Sequence, residues 1–103
     1  MDKWSREELV LAIEFYHCCP ERMHTDSHDK CQEVAETLSR SPGALDRIIR
    51  NIKYVDTGHI GLSNASQAIY DLVHEYQKDQ NAILEEAKRI RNNRRFGPLN
   101  CAD

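Results

Sequence analysis

No apolar run in the 103 residues approaches the roughly 20 that a membrane span needs, which excludes a transmembrane helix on hydropathy alone. The opening MDKWSREELV lacks the hydrophobic centre of a signal peptide, and the expectation is a cytoplasmic protein. Proline and glycine are scarce, at three and four residues, and strand-like alternation is nearly absent. That leaves an all-α fold as the natural reading. Catalytic signatures are missing as well. There is no phosphate-binding glycine loop, no His-Glu-x-x-His and no nucleophile motif, so neither an enzyme nor a cofactor is expected. No Cys-x-x-Cys pair occurs among the four cysteines. Without a secretory signal they read as reduced thiols, and adjacent Cys18 and Cys19 cannot bridge each other without strain. An excess of positive charge is lacking too. The net charge of -3 argues against a strong non-specific nucleic-acid binder and is too mild for an acidic DNA mimic.

What is present centres on residues 34–54, VAETLSRSPGALDRIIRNIKY. The stretch reads as helix, tight turn, helix. Ala35 supplies the small side chain that two crossing helices need, Ser39 takes a turn position usually given to glycine, and Leu45 points back into the shared core. Ser41 is placed as N-cap and Pro42 as the first helical residue of the second helix. Leu45, Ile48, Ile49 and Ile52 make its apolar face. Its other face carries Gly43, Asp46, Arg47, Arg50 and Asn51. In a DNA-reading helix arginine reaches guanine, asparagine reaches adenine, and a small residue near the start lets the backbone come close. Two packed helices with a solvated charged face would show the same spacing.

The first helix is expected over residues 5–17. Ser5 and Glu8 have capping-box spacing, Trp4 and Leu9 sit at hydrophobic-staple positions, and Leu9, Ala12, Ile13 and Tyr16 face inward. A polar connection at 18–28 leads to a helix over 29–38, capped by Asp29 or Ser27, with Cys31, Val34, Ala35 and Leu38 inward. The third helix is expected over 42–53, followed by a loop from Lys53 to Leu62. Ser63 or Asn64 then caps a long C-terminal helix, about 64–93. Its stripe is Ile69, Leu72, Val73, Tyr76, Ile83, Leu84, Ala87 and Ile90. Unbroken, such a helix is roughly 40 Å long, more than a three-helix core covers. Either it breaks near 79–81 and folds back, or its far half packs on a second copy as a homodimer. Residues 1–96 are expected to form one domain, with 97–103 a loose tail.

Two clusters invite a functional reading. His17, Cys18, Cys19, His24, His28 and Cys31 contain enough ligands for zinc, but their spacing matches no standard zinc module, and no metal site is expected. Lys88, Arg89, Arg91, Arg94 and Arg95 form a basic end suited to phosphates. They are equally explained by the helix dipole and by pairing with Glu85 and Glu86. Residues 1–40 hold five Lys/Arg and nine Asp/Glu, whereas 41–96 hold nine and seven, so positive charge gathers on the third helix and the C-terminal end.

The pieces come in a distinctive order: Trp4-Ser5-Arg6-Glu7-Glu8, then Tyr16, Leu38-Ser39-Arg40-Ser41, Leu45, Asn51-Ile52, Asp56 and Gly61-Leu62-Ser63-Asn64-Ala65-Ser66. Over residues 4–76 this resembles the small helical domain at the N-terminus of bacterial HNH endonucleases and related restriction-type proteins. The opening tryptophan and the Arg-Ser turn are also similar to Myb-type helix-turn-helix domains. The resemblance implies DNA recognition on behalf of a nuclease, with Ser41, Arg47, Arg50 and Asn51 on the reading side. It does not imply nuclease activity, since the metal-binding HNH module is not among these residues. Ile52 departs from the family's aromatic, and Asp46 is an anion on the proposed reading face.

The expected function is therefore a double-stranded DNA-binding module of helix-turn-helix type. Gly43, Arg47, Arg50 and Asn51 would lie in the groove, and Arg40, Lys53, Arg91, Arg94 and Arg95 on phosphates. The alternative is a protein-interaction module that blocks or recruits a nucleic-acid-processing enzyme such as a nuclease, in the manner of phage inhibitors of bacterial defence. Its contact surface would be the acidic first half: Glu7, Glu8, Glu14, Glu21, Asp26, Asp29, Glu33 and Glu36.

Overall fold

The computed structural model describes residues 3–58 and 66–101, and among these every regular element is helical. The helices are α1 (Arg6–Cys18), α2 (Asp29–Thr37), α3 (Pro42–Asp56), α4 (Gln67–Lys78) and α5 (Gln80–Arg94), with a 3₁₀ turn at Glu21–Met23. No described helix is long and apolar enough to cross a membrane.

The centre of the fold is α1. All seven residues from Leu9 to Phe15 are buried, Glu14 among them. A helix apolar on every side must be wrapped on every side, and α1 packs against α3, α4 and α5. Its inward set is thus wider than the single stripe expected from sequence, because Val10, Leu11 and Phe15 face other helices. The capping box forms as its spacing predicts: Glu8 N–H donates to Ser5 Oγ at 3.1 Å, and Ser5 N–H donates to Glu8 Oε1 at 2.9 Å. Beside it, Arg6 grips Glu75 of α4 and Glu86 of α5, with four N–H···O contacts of 2.9–3.0 Å. The start of α1 thereby holds the corner where α4 turns into α5.

That corner resolves the long-helix question in favour of a break. Asp79 leaves the helical conformation at the end of α4, with φ -154° and ψ 88°, and caps α5, its Oδ1 accepting from Ala82 N–H at 3.1 Å. Tyr76, Ile83, Ala87 and Ile90 are all buried within one chain. The stripe that motivated a homodimer is thus covered by α1 and α4. The expected caps Ser63 and Asn64 lie outside the described residues; Ser66 is the cap of α4.

Other boundaries move for local reasons. The cap of α2 is neither Ser27 nor Asp29 but His28, whose ring Nδ1 accepts from Lys30 N–H at 3.0 Å. The expected loop from Lys53 begins later, because Val55 extends the buried row of Leu45, Ile49 and Ile52 and carries α3 to Asp56. Residues 97–101, expected to be loose, are fastened: Leu99 and Cys101 are half-buried against the core, and Cys101 is bonded to Cys19. The expectation of four reduced thiols is corrected accordingly. Cys18, exposed, and Cys31, buried, are the free ones.

Candidate nucleic-acid interface

The turn before α3 is built as its sequence demands. Ser39 adopts a left-handed conformation, φ 56°, the geometry for which glycine is the usual choice. Ser41 Oγ accepts from Ala44 N–H at 3.1 Å, and Pro42 opens the helix. Leu45 and Ile52, both within 1 % of full burial, fix one side of α3 in the core. The opposite side presents Gly43, Arg47, Arg50 and Asn51.

Arg47 is exposed and makes no ion pair or hydrogen bond among the described residues. Arg50 Nε donates to Asp46 Oδ1 at 3.0 Å, one helical turn back, with the arginine side chain 74 % exposed. Asp46 itself is largely covered, because its other oxygen accepts Asp26 N–H at 3.1 Å. The anion that sat awkwardly on a reading face therefore has a folding role: it ties the 20–28 connection to α3. Gly43 lies near the same connection, and a β-carbon there would meet Asp26 Oδ2 at an ordinary 3.8 Å. Lys53 pairs with Glu21 at the rim, and Asn51 is half-buried.

Three of the four remaining cations expected on phosphates, Arg40, Arg91 and Arg94, are engaged in the fold. Arg40 donates to Glu8 through Nε at 2.7 Å and Nη2 at 2.9 Å, gives a further bond to the Lys3 carbonyl, and lies 4.9 Å over the Trp4 ring. Its guanidinium holds the Glu8 carboxyl below the usual carboxylate range. Arg91 is buried, with Nε on Glu14 Oε1 at 2.7 Å and Nη1 on the Gly97 carbonyl at 3.0 Å. Arg94 pairs with Glu7. Arg95 is exposed, and its backbone, φ 59°, ends α5 in the left-handed region. Ser41 keeps its hydroxyl on the helix cap.

A polar cleft of about 280 Å³ was not foreseen. It is lined by Tyr16, His17, Glu21, His24, Lys53, Asp56 and Tyr76, with Cys19 beside them. Tyr16 donates to Asp56 Oδ2 at 2.6 Å, Gln77 Nε2 donates to Asp56 Oδ1 at 3.1 Å, and Tyr76 shares a 2.6 Å hydrogen bond with His17 Nδ1. Burial raises both phenols above their ordinary pKa, Tyr16 further through its bond to Asp56. Three helices supply these groups from positions decades apart in sequence, so no local spacing announces them.

His24 closes the inner wall. A carbonyl only accepts, so the 2.9 Å contact with Cys19 O places the proton on Nε2. Burial pushes the His24 pKa below its ordinary 6.5. The sign follows: the unfolded chain takes up the proton first, so stability is full above pH 6.5 and declines as the pH falls through 6.5 toward the folded-state value. Urea denaturation at stepped pH is expected to show that decline well before the carboxylates titrate. A His24→Asn variant should lose the step, and persistence of the step in that variant would assign it to another group.

Five of the six cysteine and histidine residues of the 17–31 region serve separate purposes, and Cys18 is a free, exposed thiol. His17 bonds Tyr76, Cys19 is bridged to Cys101, His24 bonds Cys19 O and His28 caps α2. Cys31 lies in the core, its thiol pushed up to about 11 by burial and by Asp46 and Asp26. Comparison of the chain with family models, with curated proteins and with solved structures returns no match, so the likeness to nuclease-associated helical domains rests on the residues quoted for it.

Proposed function

We propose that the outer face of α3 binds double-stranded DNA, as a recognition module without catalytic activity of its own. The observation that carries this reading is Arg47, exposed and without a partner among the described residues, on a helix whose other side is fixed in the core. Arg50 joins it readily. Its side chain is 74 % exposed, and an i,i+4 helix pair with one partner in solvent is worth about 1 kcal/mol or less, so a phosphate can compete with Asp46 for it. Lys53 pairs across to Glu21 with both side chains largely exposed, 47 % and 74 %, so that pair yields as readily. Gly43 and Asn51 flank these cations. Arg40 and Arg91 drop out of the interface, which is therefore smaller than the sequence implies, in keeping with a net charge of -3.

Three phosphate-neutralising cations give a salt slope of about -2.7, or roughly 40-fold weaker binding between about 50 and 200 mM salt. Fluorescence anisotropy with a labelled duplex pool measures it. Arg47→Ala is expected to weaken binding about tenfold, and Arg47→Ala with Arg50→Ala to abolish it. No binding at the lower salt sinks the reading.

The protein-interaction alternative has less support. Of its acidic surface, Glu8 and Glu14 are covered and held by Arg40 and Arg91, and Glu7, Glu21 and Glu33 share exposed pairs with Arg94, Lys53 and Lys30. Asp26, Asp29 and Glu36 are a thin basis for charge recognition without them.

A further inference from the structure

The last described residues, 96–101, cross the molecule as a strap. Its near end is held by α5: Phe96 N–H donates to the Arg91 carbonyl at 2.9 Å, and the Gly97 carbonyl accepts from Arg91 Nη1 at 3.0 Å. Its far end is held by the Cys19–Cys101 disulfide, which closes a span of 82 residues. Between these points it stands off α2 over a cavity of about 170 Å³, lined by Lys30, Val34, Thr37 and Arg91 on one side and Phe96 to Asn100 on the other. Beneath it lies the buried Glu14–Arg91 pair. The strap thus rests on the core only through Phe96, Leu99 and Cys101, with the cavity beside them toward α2.

We propose that the Cys19–Cys101 disulfide is a redox latch: closed, it holds the strap beside the cavity and over the Glu14–Arg91 pair; opened by a small-molecule thiol, it frees the strap and admits water to that pair. Cys101 is half-exposed and Cys19 buried, so the entering thiolate attacks the Cys101 sulfur and Cys19 leaves. A second thiolate then attacks the reagent's sulfur in the mixed disulfide and releases Cys101. The sum consumes two thiols and yields two cysteine thiols and one oxidised reagent, with the protons exchanged through water. The neighbouring Cys18 does not short-circuit the latch. Desolvation and the Glu14 carboxylate raise its thiol pKa, leaving it protonated at neutral pH and a poor attacker.

The test uses the full chain, oxidised and then treated with reduced glutathione. Hydrogen exchange reads the Phe96 amide, iodoacetamide reads the thiols, and circular dichroism reads the helices. The expected result is exchange at Phe96 faster by roughly tenfold or more, a new adduct on Cys101 and unchanged helical signal. Cys101→Ser should exchange like the reduced protein under both conditions, and Cys18→Ser should respond like the parent. The proposal is overturned if the oxidised protein already carries an adduct on Cys101, if Phe96 exchange ignores reduction, or if the helices melt together with the strap. None of these readouts involves DNA, so they stand apart from the function proposed for α3.

Discussion

Glu14→Ala is expected to destabilise the fold by about 3–5 kcal/mol, a large part of what a domain this size has. Glu14 and Arg91 face each other between α1 and α5, each side chain 10 % exposed, joined by a 2.7 Å bond. Removing the carboxylate strands a guanidinium whose only other described partner is the Gly97 carbonyl. Glu14→Gln keeps an acceptor and should lose less. The informative comparison is the double change Glu14→Leu with Arg91→Met, which removes both charges and keeps volume. It is expected near the parent or above it, because desolvating two ions offsets most of their attraction. Urea denaturation of the set reads the differences. A Glu14→Ala loss below about 1 kcal/mol would mean that water already reaches the pair.

The same pair marks where the sequence could be read and where it could not. The features of two helix starts and of the turn between them are local and agree with the structure: Ser5 with Glu8, Ser41 with Pro42, and the left-handed Ser39; the cap of α2 does not, since His28 and not Ser27 or Asp29 takes it. The break at Asp79 was legible as one of two options, because an aspartate after an amphipathic helix can cap the next. What sequence cannot carry is the choice of long-range partner. Arg40 and Arg47 look alike as letters, yet one is locked between Glu8 and Trp4 while the other is free among the described residues. Arg91 reads as a basic tail residue until α1 brings Glu14 to it. One signal was available: Leu9 to Tyr16 is apolar nearly all round, interrupted by a single glutamate. A carboxylate in a helix surrounded on all sides needs a cation, and one more cation is then removed from any surface tally. The 17–31 cluster was ambiguous for a related reason. Cysteine pairing depends on where Cys101 lies, and the strap's course follows from tertiary packing.

Cys101→Ser is expected to cost up to about 4.5 kcal/mol relative to the oxidised parent, since the bridge closes an 82-residue loop in the denatured chain. That figure is an upper bound, because residual structure in the unfolded chain already shortens the loop. The effect has a signature that separates it from lost packing. An unbridged denatured chain exposes more surface, so the urea m-value should rise as the midpoint falls, whereas a core cavity moves the midpoint alone. The reduced parent should superimpose on Cys101→Ser in both quantities. Such a bridge persists where thiols are oxidised and opens where glutathione keeps them reduced. The magnitude therefore matters beyond stability. A loss near the upper bound leaves a domain of this size marginal when reduced, tying folding itself to redox conditions. A loss of about 1 kcal/mol leaves the helices intact and confines the consequence to the strap. Measuring both forms decides between a disulfide that holds the fold and one that holds only its last residues.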